Sequence, residues 1–253
     1  MSNDGLIAVW FSCGAASAVA ARLTIDKYGR GRVRVVNSPV LEEHEDNRRF
    51  LLDVQAWLDV EIETAINPAY PAASAREVWE KRKFMSSPYG APCTLELKKE
   101  ARRHWERANN PAWHVLGFTA DEKHRHERFI LTERDNVLPV LIDAGLRKKD
   151  CMDILREAQI RPPEIYGIGF KSANCVGCIK STSPSYWNLV RREFPETFAD
   201  RAEQSRRIGA KLVQVKGERV FLDELPANAS GQMDLDFDCG VFCEEKPIME
   251  AAQ

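Results

Sequence analysis

An apolar run, Leu6-Ile-Ala-Val-Trp-Phe11, stops abruptly at the small residues Ser12-Cys-Gly-Ala-Ala-Ser17. The run has the length of a buried strand, and the alanine-rich stretch from Ala18 to Tyr28 reads as a helix. Val33-Arg-Val-Val36 makes a second strand, and Val60–Ile66 a third. Between those two lie an acidic loop, Glu42 to Asp46, and an amphipathic helix over Arg48–Leu58, with Phe50, Leu51, Val54, Trp57 and Leu58 apolar. Strands alternating with helices need crossover connections, so they run parallel in one sheet covered by helices. The expected fold is α/β, a doubly wound and mostly parallel sheet.

Further along, Trp113-His-Val-Leu-Gly117 reads as a strand ending in glycine, and the polar loop Gly117–Arg128 leaves its carboxyl end. Ligands sit at such ends in open parallel sheets. Asn136–Ile142 reads as another strand or apolar segment, and Lys148–Ala158 as a helix with Asp150 as cap. Between Asn67 and Pro92, four prolines and a Ser-Ser-Pro-Tyr-Gly turn surround a short helix at Ala75–Phe84. Cys93 opens a basic helix, Thr94 to Ala108. From Arg161 the chain is irregular, then helical near Tyr186–Phe198 and Phe198–Gly209, and it ends in an acidic, loop-rich tail. The expected division is an α/β core over 1–160 and a small helical, irregular, cysteine-bearing region over 161–253.

A chain of 253 residues with 44% hydrophobic and 29% charged residues can bury a sizeable core. Its net charge of −2 excludes a chain-wide electrostatic grip on nucleic acid, so any phosphate recognition rests on local clusters. Leu6–Phe11 is too short for a secretory apolar region, and no stretch reaches transmembrane length. A cytoplasmic protein without a membrane partner is expected. In that compartment cysteines bind metal or react more often than they form structural disulfides.

Five of the seven cysteines form an ordered series: Cys93, Cys175-Val-Gly-Cys178 and Cys239-Gly-Val-Phe-Cys243. A C-x-x-C pair places two thiols on one turn, and further cysteines can complete a four-sulfur site for zinc or iron–sulfur. Spacing alone does not choose the metal. A redox dithiol is the competing reading of Cys175 and Cys178, but their late position in a Gly- and Ser-containing loop favours a metal. Cys93 stands at a helix start near Lys98, Lys99, Arg102 and Arg103, which favours a thiolate; a solvated basic face is the plainer reading of those cations. Cys13 and Cys151 read as structural.

Ser12, Gly14 and Ser17 lie where a first strand turns into a first helix. Amides at a helix start, a glycine that admits close approach, and two hydroxyls can hold a phosphate; a tight turn with a capping serine fits the same residues. No Gly-Lys-Ser/Thr ends the loop, so it is not a Walker sequence. His124 and His126 flank Arg125 as a potential metal pair, although Lys123, Arg125 and Arg128 better suit an anion-binding loop.

Taken together, these residues resemble the PAPS/APS reductase (sulfonucleotide reductase) family of the PP-loop, adenine-nucleotide alpha-hydrolase superfamily, in its compact, phage-associated form. Ser12-Cys-Gly-Ala-Ala-Ser17 is similar to the PP-loop, and Leu116-Gly-Phe-Thr-Ala-Asp-Glu to the strand and loop that face the nucleotide. Cys93-Thr-Leu-Glu-Leu-Lys-Lys and Cys175-x-x-Cys178 resemble the cysteine segments of iron–sulfur members, and Asp238-Cys-Gly-Val241 the C-terminal motif with the nucleophilic cysteine. Departures are visible. Ala16 stands where ATP-activating PP-loops carry an acid, Cys93 is single, Thr119 replaces an arginine, Phe242 replaces a histidine, and Cys243 is extra.

The resemblance implies an oxidoreductase that binds an adenine nucleotide and reduces a sulfonucleotide to sulfite. Ser12, Gly14, Ser17 and Gly117 would hold the nucleotide, with Arg125 and Arg128 as anion partners. A [4Fe–4S] cluster would be held by Cys93, Cys175, Cys178 and Cys243, leaving Cys239 as nucleophile; the assignment with Cys239 and Cys243 exchanged stays open. Thioredoxin- or glutathione-type thiols would be the reductant. Two alternatives carry other chemistry. One is ATP-dependent sulfur transfer to a nucleic acid, with the basic helix and Arg191, Arg192, Arg206 and Arg207 on the backbone. The other is a zinc-stabilised nucleotide-binding module.

Overall fold

The computed structural model describes residues 5–85 and 90–233. In chain order it contains β1 (Ile7–Phe11), α1 (Ala15–Tyr28), β2 (Val33–Asn37), α2 (Asp46–Leu58), β3 (Ile62–Thr64) and α3 (Ala75–Arg82). Next, α4 (Pro92–Thr94) continues through a π-helical stretch, Leu95–Glu100, into α5 (Ala101–Asn109). There follow β4 (Trp113–Val115), α6 (Lys123–Thr132), β5 (Val137–Leu138), α7 (Val140–Asp143), α8 (Lys148–Glu157) and α9 (Ile165–Ile168). Helices α10 (Pro184–Glu193) and α11 (Pro195–Ile208) precede a hairpin of β6 (Val213–Val215) and β7 (Glu218–Val220). Among the described residues, no helix is long and apolar enough to cross a membrane.

The described chain groups into two compact units, the first from 5–39, 45–65 and 102–167, the second from 40–44, 66–101 and 168–233. In the first, five parallel strands lie in the order β3-β2-β1-β4-β5, flanked by helices. β1 is central and all five of its residues are buried, as a strand covered on both faces requires. Small side chains at Ala15, Ala18, Ala20 and Ala21 let α1 bury one side within the same core as Val9, Phe11, Phe50 and Leu155. Strand order reverses between β1 and β4. In doubly wound sheets that reversal opens a crevice at the carboxyl ends of the two strands.

The second unit carries α3, α10, α11 and the β6–β7 hairpin. Lys216 and Gly217 both have positive φ, 50° and 90°, the backbone of a two-residue hairpin turn. This hairpin went unread in the sequence.

Several local expectations are corrected. Asn136–Ile142 is not one strand: Pro139 cannot donate to a ladder, so β5 stops at Leu138 and α7 begins at Val140. Gly117–Arg128 is not an open loop, because Thr119 and Glu122 cap a short 3₁₀ turn that leads into α6. Helix α10 ends before Phe194 rather than at Phe198, since the residue preceding Pro195 is driven out of helical geometry. Asp150 sits inside the first turn of α8 and reaches back to the N–H of Arg147 at 2.8 Å.

Candidate functional site

The loop after β1 is knitted by its own hydroxyls. Ser17 Oγ donates to the Gly14 carbonyl at 2.9 Å, accepts the Ser12 N–H at 3.2 Å, and lies 3.3 Å from Ser12 Oγ. Cys13 is forced into left-handed geometry, with φ of 55°. Asn37 at the end of β2 supports that bend, donating to the Phe11 carbonyl at 2.8 Å and lying 3.6 Å from Cys13 Sγ. Gly14 caps α1 without a side-chain bond, so the first-turn amides and the positive end of the helix dipole face the strand ends.

Gly117 meets this loop from the other side of the crevice. A Cβ built at Gly117 would stand 2.9 Å from Ser17 N and 3.2 Å from the Ala16 carbonyl carbon, so a side chain there cannot fit without moving backbone. Tyr166 contributes its hydroxyl 3.5 Å from the corresponding point on Gly14. Ser12, Gly14, Ser17 and Gly117 are thus brought together at the reversal of strand order. Tyr166 and Asn37 were not read from the sequence, and neither carries a motif that announces it.

Arg125 and Arg128 lie on α6. Arg125 is ion-paired with Glu122 and its guanidinium lies 5.7 Å over Phe118, while Arg128 is exposed. His124 and His126 do not form a metal pair. Two residues apart on a helix they face different ways: His124 is exposed, whereas His126 is buried with its ring edge-on to Phe118 at 5.8 Å.

Beneath the sheet a second buried polar group forms around His114. Trp10 Nε1 donates to its Nδ1 at 3.1 Å, and Arg134, paired with Glu106 at 2.9 Å, approaches its Nε2 at 2.5 Å. Burial, and then the charges of Arg134 and Arg102, push the His114 pKa down to about 3. Its imidazole is neutral at physiological pH.

In the second unit, Cys93 is half-buried at the second position of α4, behind Pro92. Cys175 is half-buried and Cys178 buried. Their turn is fastened on both sides. Cys175 pairs with Glu43 in an isolated antiparallel bridge, and the Val176 N–H donates to the Glu42 carbonyl at 2.9 Å. Tyr186 Oη accepts the Cys178 N–H at 2.7 Å and donates to the Cys175 carbonyl at 3.4 Å, so one hydroxyl spans both cysteines. Burial raises the Tyr186 pKa well above the ordinary phenol value and keeps it protonated. Gly177 takes φ of 70°, and a Cβ on it would lie 3.2 Å from Thr197, 3.6 Å from Trp187 and 3.7 Å from Arg201 Nε.

Arg201 is 2% exposed. Its Nη1 donates to Gln204 Oε1 at 2.8 Å and its guanidinium lies 4.4 Å over the Trp79 ring, but among the described residues its Nε has no hydrogen-bond partner. Burial lowers its pKa, and Glu42, Asp200, Cys175 and Cys93 act in the opposite direction. Three of the four cations after Cys93 are not solvated, contrary to the plainer sequence reading: Lys98, Lys99 and Arg102 are at most 5% exposed, and Lys98 pairs with Glu43 at 2.9 Å. Arg103 is exposed.

Among the described residues, no three Cys, His, Asp or Glu side chains are grouped closely enough to hold a metal ion. Cys239 and Cys243 lie outside the described residues. What the described residues hold is a C-x-x-C turn: two thiols, a glycine in the left-handed bend, and a buried cation with an unused donor against that turn. Such a set fits an anionic sulfur centre. Cys13 and Cys151 are buried, and burial pushes the Cys151 thiol up to about 12, as suits a structural residue.

No family model matches the chain, and no curated protein matches it in sequence. Among solved structures it is similar to the phosphoadenylyl-sulfate (PAPS) reductase from Candida auris in its phosphate complex. The TM-score is 0.49 and the identity 11%, over 68% of this chain and 82% of that one.

Proposed function

We propose that this chain is a PAPS-reductase-like enzyme that binds an adenine sulfonucleotide and reduces its sulfur group through a cysteine thiol. The observation that carries the reading is the crowding of Gly117 against Ser17 at the uncapped start of α1. Bare backbone amides are gathered there at the strand-order reversal, as an anionic nucleotide requires. Ser12 and Ser17 would offer hydroxyls to the phosphate or sulfate oxygens, with Arg125 and Arg128 as further anion partners. Cys239 would act as nucleophile: its thiolate sulfur bonds to the sulfonucleotide sulfur, the S–O bond to the phosphate breaks, and the nucleoside 5′-phosphate leaves, with S-sulfocysteine remaining. A dithiol reductant of the thioredoxin type then releases sulfite and becomes a disulfide.

Cys93, Cys175, Cys178 and Cys243 would hold a [4Fe–4S] cluster, which when bound supplies a redox-active, polarising centre. Tyr186 fixes the turn that presents two of those sulfurs. The nucleic-acid alternative is weakened by the state of its cations. Lys98, Lys99 and Arg102 are buried, Arg206 is paired with Asp223 and Glu224, Arg207 with Glu80, and Arg191 donates to the Leu222 and Leu225 carbonyls.

The test is anaerobic purification followed by turnover of PAPS and APS with a thioredoxin system. Sulfite release, with loss of turnover but full iron in Cys239→Ser, is expected. Iron loss in that variant would exchange the roles of Cys239 and Cys243. A colourless protein with stoichiometric zinc and no sulfite release would overturn the reading in favour of a nucleotide-binding module. Pyrophosphate release from ATP with salt-sensitive RNA binding would favour the sulfurtransferase.

A further inference from the structure

Buried arginines use their donors, because each unmet N–H in the interior carries a desolvation cost. Arg201 departs from that pattern at one atom. Its Nη1 is bonded to Gln204, its face covers Trp79, and Asp200 stands 3.8 Å away, yet Nε is unmet among the described residues. That atom lies against Gly177, the bend between Cys175 and Cys178. The acidic side chain nearest in sequence, Asp200, is committed instead to Arg76 at 3.0 Å. Glu42, the other acid acting on Arg201, is bonded to the Ser74 hydroxyl and to the Ala75 and Arg76 N–H groups, and the unused donor lies against the cysteine turn.

We propose that the Nε–H of Arg201 donates to the anionic sulfur group carried by Cys175 and Cys178, a ligand thiolate or a cluster sulfide, and that this bond sets its reduction potential. The proposal rests on the iron–sulfur reading of the cysteines. A donor and a positive charge beside a cluster stabilise the reduced, more negative state, so removing them makes the potential more negative. Trp79 and Gln204 hold the guanidinium plane, which makes Arg201 a positioning residue rather than a ligand.

The test uses the full-length, anaerobically prepared protein, with arginine guanidino nitrogens isotope-labelled, and reads nitrogen hyperfine coupling to the reduced cluster by pulsed paramagnetic resonance. A coupling from arginine, and a midpoint potential displaced to more negative values in Arg201→Met with iron content unchanged, are expected. Arg201→Lys, which keeps the charge but not Nε, should recover only part of the displacement. A brown protein with full iron but no arginine coupling overturns the proposal and leaves the cluster reading standing. A colourless zinc protein overturns both. Should Arg201→Met fail to fold, the labelled wild-type measurement decides alone.

Discussion

The serine–glycine loop of the first unit and the cysteine turn of the second each bend the chain sharply, and they are held in opposite ways. The loop is held mostly by near neighbours: Ser12, Gly14 and Ser17 bond to one another within five residues, Asn37 braces the bend, and Gly117 contributes only its lack of a side chain. The turn is held from elsewhere in the chain: Glu42 and Glu43 pair with its backbone, Tyr186 spans both cysteines, and Thr197, Trp187 and Arg201 fill the space beside Gly177. A backbone-built site needs few residue identities and tolerates no added volume. A side-chain-built site spreads its requirement over many positions and is sensitive to lost donors.

The contrast can be broken most strongly at Gly117. Gly117→Ala should lower adenine-nucleotide affinity by at least about tenfold and stability by about 1–3 kcal/mol, because backbone must shift. Titration calorimetry and urea unfolding read both, while metal content stays unchanged if the two sites are independent. Tyr186→Phe makes the converse experiment. It strands the Cys178 N–H at a cost of about 1–3 kcal/mol and should weaken metal retention without altering nucleotide affinity. Equal loss of both in either variant would refute the comparison.

Acid offers a milder lever on the first unit. His114 titrates near 3 when folded but near 6.5 when unfolded, so between those values the unfolded chain binds the extra proton. The stability held by neutral His114 is complete above pH 6.5 and is lost as pH falls, by at most about 1.4 kcal/mol per pH unit. His114→Asn should flatten that slope in unfolding measured from pH 7 to 5. The smallest effect is expected at Asp150→Ala, which removes the bond to Arg147 N–H and should cost about 1 kcal/mol, leaving both sites intact.

The same contrast explains what could be read from the sequence. The alternation of strands and helices, and the grouping of Ser12, Gly14 and Ser17, are local: apolar runs and small residues announce them. Gly117 was readable because it ends a strand. Thr119-Ala-Asp-Glu122 carries a capping signature that makes α6 a helix, a signal present but overshadowed by the density of charge around it. Tyr186 and Arg201 were not legible, since a tyrosine and an arginine in amphipathic helices give no sign of which cysteine they will meet. The burial of Lys98 and Lys99 was equally hidden, because charge pattern predicts solvation unless a partner such as Glu43 closes over it.

The π-helical stretch Leu95–Glu100 has its own consequence. It buries four consecutive residues, Glu96 to Lys99, three of them charged. Wide turns of this kind behave as single-residue insertions trapped inside an α-helix. Deleting one residue there would restore regular winding and force the four buried side chains into new seats. Which side chains this stretch buries is therefore set by chain length as much as by their own chemistry.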